Sequence, residues 1–513
     1  MNKKYKSYVF LSLICLTLFS CGNTDVTPTP DPDEGKTGYV RGAMDYGASD
    51  LSSTYALTNG NQQALVILVE FEDGGYTFDD STISNLFKSY FGSRYDTAYN
   101  WNSLRSFYRT ASYGSLNMGG QVTAVYHTDV TAASIKENDE IHAGEVSNPG
   151  IVPLYNVYEN AINAIKDGSL LDFEGNKIDL TTYDNNKDGY IDSPTFVTNV
   201  NDEQKWATAF WPHMDDAFRA TEKEWSFRVY SSTNLGHIDF TTLFDGARTA
   251  IHEQGHVFGL DDYYDYTTPK KDEQTIEPLG AYDMQSYAMF DWNPYSKMLA
   301  KWVSPYVIDG TRKVTTINIG DAAETGDYIL IPANYSTYNG TPYDEYLILE
   351  LFSPLGNNKI DWEYTLQEYK NLGDYGIRLY HVDSRLYGYN DNGGEWIVDP
   401  RTTTYTEFEK PTNCTNNEDY GFSHLPKDEE GCRLIQIIQA GKVDTFTDTA
   451  TTARHTLNST DLFHTGDSFS FNEYKDFFPN KGTTMNNGES FNYTIDFNSV
   501  SLRNATVTIT LNS

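Results

Sequence analysis

The stretch that decides how this chain is read is His252-Glu253-Gln254-Gly255-His256-Val257-Phe258-Gly259-Leu260-Asp261-Asp262. Residues four apart on a helix share a face, so His252 and His256 can aim both imidazoles at one ion. Glu253 is one step round from His252. It lies outside that pair but within reach of a water on the metal. Gly259, three residues past His256, is placed to end the helix in a left-handed conformation. The chain then turns back, and Asp262 falls where a third ligand is needed; Asp261 competes for the same place. Glu273 and Glu277 are more distant candidates. Gly255 stands inside the helix, at a cost of about 1 kcal/mol relative to alanine. It therefore marks close approach by another segment or by substrate, or simple helix packing. Three protein ligands suit Zn2+, which leaves its fourth position to water and lowers that water's pKa to about 7. Glu253 is then the expected general base, passing the proton on to a leaving nitrogen. Tyr287, Tyr263 and Tyr264 are candidates to steady the oxyanion.

Working outward, the segments around the motif have mixed periodicity. Residues 64–71 form a continuous apolar run of strand length, as in a buried strand. Residues 103–112 carry Leu104, Phe107, Tyr108 and Ala111 at helical spacing, closed by Tyr113-Gly114. Residues 154–165 repeat that pattern, and 196–200 read as a strand. Asp245 is placed to cap a helix over 247–258. Asn293-Pro294 starts a later helix, with Asn as cap and Pro in the first turn. That helix carries Met298, Leu299 and Trp302 and ends near Ser304-Pro305. Beyond it, 314–319, 328–331 and 346–351 are strands separated by Gly, Asn and Asp. Phe491, Tyr493, Ile495 and Phe497 alternate with polar residues, as do Val507, Ile509 and Leu511. Such alternation means a half-buried antiparallel sheet. The expected organisation is a signal segment at 1–20, a tether at 21–61, a catalytic domain at 62–305 and a β-rich domain at 306–513.

The chain has 513 residues, 37 Lys and Arg against 72 Asp and Glu, and a net charge of −35. Such a chain repels phosphate backbones, which argues against nucleic acid as a partner. Its 14% aromatic content argues against disorder. Lys3, Lys4 and Lys6 precede an apolar run at 9–19, too short to span a bilayer. The run ends Leu18-Phe19-Ser20-Cys21-Gly22, which resembles a bacterial lipobox. The resemblance implies cleavage before Cys21, lipid on its sulfur, and attachment to the cell envelope through lipid alone. The Pro/Thr/Asp-rich residues after it read as a tether. Cys414 and Cys432 are the cysteines left beyond the leader, and a disulfide between them suits an oxidising compartment. Free buried thiols are the alternative.

A second oxygen-rich stretch is Asp184-Asn185-Asn186-Lys187-Asp188-Gly189-Tyr190-Ile191-Asp192. Asp184, Asn186, Asp188 and Asp192 stand at positions 1, 3, 5 and 9 of a Ca2+ loop, with Gly189 at the sharp turn and the Tyr190 carbonyl at position 7. Thr195 takes the twelfth position in place of a bidentate Glu. This predicts a structural calcium loop, with a metal-free Asx-rich turn as the alternative.

The zinc motif with Asp as third ligand resembles the immune inhibitor A-type peptidases, a branch of the metzincin-like zinc enzymes. The likeness covers about residues 62–400. Ser103-Leu104-Arg105-Ser106-Phe107-Tyr108 with Ser112-Tyr113-Gly114-Ser115-Leu116-Asn117 resembles the family's early helix and turn. Trp211-Pro212-His213, Asp291-Trp292-Asn293-Pro294 and Lys301-Trp302 also match. Ala281-Tyr282-Asp283-Met284-Gln285-Ser286 resembles the Met-turn, which implies a methionine beneath the metal. Gly376-Ile377-Arg378-Leu379-Tyr380-His381-Val382-Asp383 resembles a strand of the following domain. Metzincins with a tyrosine ligand place it two residues after the methionine; here Ser286 holds that position and Tyr287 follows. The resemblance implies an α+β, metzincin-like catalytic domain followed by an all-β, sandwich-like domain. It also implies a zinc endopeptidase acting on extracellular protein or peptide substrates. The alternative is a surface lipoprotein that binds glycan or protein on a peptidase scaffold.

Overall fold

The apolar run at 64–71 is buried on both sides because it lies in the middle of a sheet covered on two faces. A short strand, β1 (Tyr39–Val40), comes first among the described residues, and the run belongs to β2 (Gly60–Glu70). With β3 (Leu116–His127), β4 (Pro194–Thr198), β5 (His213–Asp216) and β6 (Val229–Asn234) it makes a five-stranded sheet of order β3-β2-β4-β6-β5. β3, β2, β4 and β6 are parallel, and β5 runs antiparallel at the edge. Alternate residues of β2 enter different cores. Ala64, Val66 and Leu68 meet helices α1 (Asp80–Phe91) and α2 (Leu104–Ala111). Leu65, Ile67 and Val69 meet α3 (Ala132–Ile141) and α4 (Ile151–Asp167). Period-two side-chain alternation between two apolar layers explains why this strand carries no polar face.

Among the described residues three helices follow: α5 (Arg248–Val257), α6 (Met284–Tyr287) and α7 (Pro294–Leu299). α7 starts as its sequence predicts, the Asn293 side chain accepting from Ser296 N with Pro294 next in line. It ends earlier than expected. Lys301 takes a left-handed φ of 61°, and Trp302 N donates back to Lys297 O. Trp302 therefore lies outside the helix, its ring stacked on Trp292 at 4.6 Å.

The described residues after α7 carry β7 (Tyr306–Ile308), β8 (Val314–Gly320), β9 (Tyr328–Pro332), β10 (Glu345–Phe352) and β11 (Gly376–Asp383). A small hairpin of β12 (Tyr387–Tyr389) and β13 (Glu395–Ile397) precedes β14 (Ile435–Ile437), β15 (Ser468–Ser470), β16 (Tyr493–Val500) and β17 (Asn504–Leu511). Short helices α8 (Ala322–Thr325) and α9 (Asn358–Glu363) are interspersed. One sheet has the order β1-β7-β9-β10-β11-β14, the other β15-β16-β17-β8. Within the first, β7 and β9 are parallel, a departure from the antiparallel pattern read in the sequence.

The six-stranded sheet has no solvent face along β10 and β11. Leu347, Leu349, Leu351, Ile377 and Leu379 pack toward Ile317, Ile495, Val507 and Ile509 of the four-stranded sheet. The intervening Tyr346, Ile348, Phe352, Tyr380 and Val382 join the core that holds Ile251, Met284 and Trp292. Each buried apolar side chain of this size contributes about 1.5–3 kcal/mol, so both faces of this sheet are needed. One core thus runs from the helices of the first half into the sheet of the second. Residues Thr37–Ser513 group as one unit.

In this computed structural model the described residues are 36–42, 44, 55–93, 102–141, 151–201, 208–216, 227–238, 247–264, 277–363, 374–389, 395–397, 433–447, 458–478 and 484–512. Among them, no helix is long and apolar enough to cross a membrane.

Candidate metal centre

Ten residues make too short a helix to persist alone, and α5 is held by its surroundings. Its N-cap position is Ala247, with no side-chain cap bond. Asp245, expected as the cap, lies outside the described residues. The first turn is anchored by Arg248 instead. Its guanidinium donates to Ala288 O at 2.9 Å and pairs with the buried Asp361 of α9. Asp361 also accepts from Phe290 N at 2.6 Å.

The end of α5 follows from Gly259, whose φ is 89°. Gly259 N donates to His256 O at 2.8 Å and Leu260 N to Gly255 O at 3.1 Å. This pair of bonds is the Schellman arrangement, which a glycine permits without steric cost. The turn carries Leu260 O back over the helix, where it meets His256 Nδ1 at 2.7 Å. His252 Nδ1 meets Met284 O at 2.8 Å. Each imidazole therefore gives its Nδ1 proton to a backbone carbonyl and keeps the Nε2 lone pair for the centre, the usual outer support of a metal-binding histidine.

The two Nε2 atoms lie 3.2 Å apart. Asp262 Oδ1 lies 3.0 Å from that of His252 and 3.3 Å from that of His256. Regular tetrahedral coordination at 2.0–2.1 Å puts ligand atoms about 3.3 Å apart, so the three form a fitting face for zinc. Among the described residues this is the group of three or more His, Cys, Asp or Glu side chains whose ligand atoms converge. Asp261 and Glu277 are not part of it. Glu277 is buried and accepts from Ser286 Oγ at 2.8 Å. Glu273 lies outside the described residues.

Two imidazole lone pairs and a carboxylate oxygen this close need a positive charge among them. In the metal-free chain that charge is a proton. Burial disfavours a charged His256, but the Asp262 carboxylate outweighs burial and pushes the imidazole up to about 10. His252 is likewise raised, burial being overcome by Asp262. Burial would raise the Asp262 carboxyl, yet the two imidazoles hold it well below the usual carboxylate range. A divalent cation can replace the shared proton.

Glu253 is buried, 5% exposed. Burial raises its pKa above the ordinary carboxylate value, against the lowering effect of both histidines. Its neighbours in the core include Tyr90 and Tyr108, whose phenols burial raises, with the Glu253 charge adding to it.

The three tyrosines proposed for the oxyanion part company. The Tyr263 hydroxyl is bound to Ser296 Oγ at 2.7 Å, away from the ligand atoms. Tyr264 hydrogen-bonds Asp262, and burial, with that carboxylate, raises its phenol. Tyr287 closes α6 and is 37% exposed. Met284 is fully buried, and what the sequence does not announce is the use of its backbone carbonyl as the brace for His252. The Leu260 carbonyl is a second such brace. Neither leaves a side-chain signal, because any residue supplies a carbonyl.

In the second expected site, Gly189 has φ 92° and Lys187 φ 62°, so the 184–192 loop is tightly turned. Asp184 accepts from Asp188 N and Gly189 N, both at 3.0 Å. Asn186 Oδ1 accepts from Asp188 N at 2.9 Å, and Asp188 Oδ1 from Tyr190 N at 3.0 Å. Asp192 Oδ2 accepts from Asn185 N and Asn186 N at 2.5 and 3.1 Å. The Arg228 guanidinium sits 4.3 Å over the Tyr190 ring and 3.6 Å from Asp188 Oδ2. The Asn186–Asp188 and Asp188–Tyr190 bonds, each reaching the backbone two residues on, are Asx turns. The Asp184, Asp188 and Asp192 oxygens do not converge as the zinc-type group does. Cys21, Cys414 and Cys432 lie outside the described residues.

No family model matches this chain, and no curated protein matches it.

Proposed function

We propose that this chain is a zinc-dependent endopeptidase of the immune inhibitor A type, exported and held to the cell envelope through lipid on Cys21. The observation that carries the reading is the triangle of His252 Nε2, His256 Nε2 and Asp262 Oδ1, with both Nδ1 atoms given to carbonyls. Zinc held there would act as a Lewis acid toward a peptide carbonyl and make bound water acidic near neutral pH. Glu253, next in sequence to His252 and buried, takes a proton from the attacking water at its carboxylate and delivers it to the leaving amine. Tyr287 and Tyr264 are the hydroxyls proposed to face the developing negative charge. The mixed sheet that carries α5 is compatible with a metzincin-like catalytic fold, and the two stacked sheets after it with a sandwich-like domain.

The test is elemental analysis together with cleavage of casein. The native chain is expected to hold one zinc and to cut casein. Glu253→Gln keeps the zinc and loses about 10²–10⁴-fold in rate. His252→Ala loses the zinc. A calcium ion at 184–192 belongs to the same proposal on its sequence spacing, and one equivalent of calcium lost in Asp184→Asn is its readout. Zinc retained by a native chain that cleaves no protein or peptide would sink the peptidase reading.

A further inference from the structure

Gln285 is fully buried beside the candidate metal centre, and its role there is not explained by packing alone. Its side-chain Nε2 donates to the carbonyl of His252 at 3.1 Å. Its backbone carbonyl accepts from Tyr263 N, the residue after Asp262, at 3.1 Å. Its backbone N is fixed by Asp283 Oδ1 at 2.8 Å, and the preceding residue, Met284, supplies the carbonyl that braces His252 Nδ1. One residue therefore touches the helix that carries both histidines and the loop that carries the aspartate.

The helix is shaped to receive it. A Cβ on Gly255 would lie 2.2 Å from Gln285 Oε1, 2.6 Å from its Cδ and 2.8 Å from its Nε2. Gly255 thus forms the groove that the amide crosses, one turn along from His252 and beside His256. Gln285 cannot withdraw, because it has no exposed surface to move toward. Among the described residues, its Oε1 accepts no hydrogen bond. Apolar filler of the same size would avoid that unmet acceptor, so the amide is accounted for by what its Nε2 does.

We propose that Gln285 is a positioning residue for the metal centre: seated in the groove left by Gly255, it sets the distance between the histidine helix and the Asp262 loop. This rests on the zinc reading of the site, and its test separates the two. Gln285→Met keeps the volume and removes the donor. Zinc affinity, measured by chelator competition on the purified full-length protein, is expected to fall about 10–100-fold, the usual effect of losing an outer support. The visible spectrum of the cobalt-substituted protein should change as Asp262 shifts. The melting temperature of the chelated protein should stay close to native. Gly255→Ala is expected to weaken zinc binding as well, and Gly255→Ala with Gln285→Ala together to bind better than Gly255→Ala alone, because the clash is relieved. Unchanged zinc affinity and cobalt spectrum in Gln285→Met overturn the proposal. So does a loss of affinity matched by an equal fall in stability of the chelated protein, which would make the residue mere packing. A native chain that binds no zinc instead defeats the reading of the site itself.

Discussion

At the scale of single residues, aim is set by backbone groups. His252 and His256 are placed by helix period, but each is turned to the centre by a carbonyl, from Met284 and Leu260. The Leu260 brace exists because Gly259 can hold a φ of 89°. A side chain there costs roughly 1–2 kcal/mol. Gly259→Ala is expected to destabilise the protein by about that much and to weaken zinc binding in parallel, both read by thermal melts with and without zinc. Full zinc affinity in this variant would show that the Schellman turn does not matter to the centre. The histidine pair and the turn at Gly259 were legible in the sequence, because period and glycine conformation are local. Asp262 was legible only as one of two neighbours, since choosing between adjacent residues on a turn needs the path of the chain. Leu260, Met284 and Gln285 were not legible in these roles, because they act through main-chain atoms or through a contact made only in three dimensions.

At the scale of elements, an ion pair buried between segments distant in sequence holds the helix that bears both histidines. Arg248 at the start of α5 pairs with Asp361 of α9, with side chains 7% and 0% exposed. Removing one partner of such a pair leaves an uncompensated charge and costs about 3–5 kcal/mol. Asp361→Ala is expected to lower the unfolding free energy by that amount in denaturant titrations, and a loss under 1 kcal/mol would show the pair to be incidental. The sequence offered Asp245 as the anchor of this helix; the pairing with a residue 113 positions away was out of reach of any local pattern. By contrast α7 was legible at its start, where Asn293 and Pro294 act locally. Its end was not, because a lysine took the left-handed position usually read from glycine.

Element junctions also set the pH response. Asp321, ahead of α8, is pushed up to about 7 by burial, against the bond from Ser353 Oγ. Its folded value lies above the ordinary 3.8. The folded state therefore holds this proton more tightly, and the resulting stability is present below about pH 4 and lost as pH rises through 7. Asp321→Asn imitates the protonated form. It is expected to melt above the native chain at pH 8, with the difference closing toward pH 4; equal melting temperatures at pH 8 would refute this.

For the whole molecule, the six-stranded sheet is shared property. Its one face packs on the four-stranded sheet and its other on the layer of α5, α6 and α7. Arg378, paired with Glu350 across β10 and β11, donates to Tyr282 O at 2.9 Å, and the Tyr282 hydroxyl donates to Asp461 at 3.0 Å. The turn whose Met284 carbonyl braces His252 is thus seated on the second half of the chain. The sequence showed where strand patterning takes over, near Pro305, but not that the core continues across that point. Alternation marks which residues are buried without saying against what. A chain ending at residue 305 is expected to show no cooperative melting and no zinc binding. A truncated chain with a native-like near-UV spectrum and one bound zinc would refute that dependence.

The bond between Tyr282 and Asp461 spans 179 residues. A polypeptide is made from its N-terminus, so both histidines and the aspartate exist long before Asp461, which accepts from the Tyr282 hydroxyl. In order of synthesis, the bond that seats Tyr282 forms only after residue 461 has joined the chain.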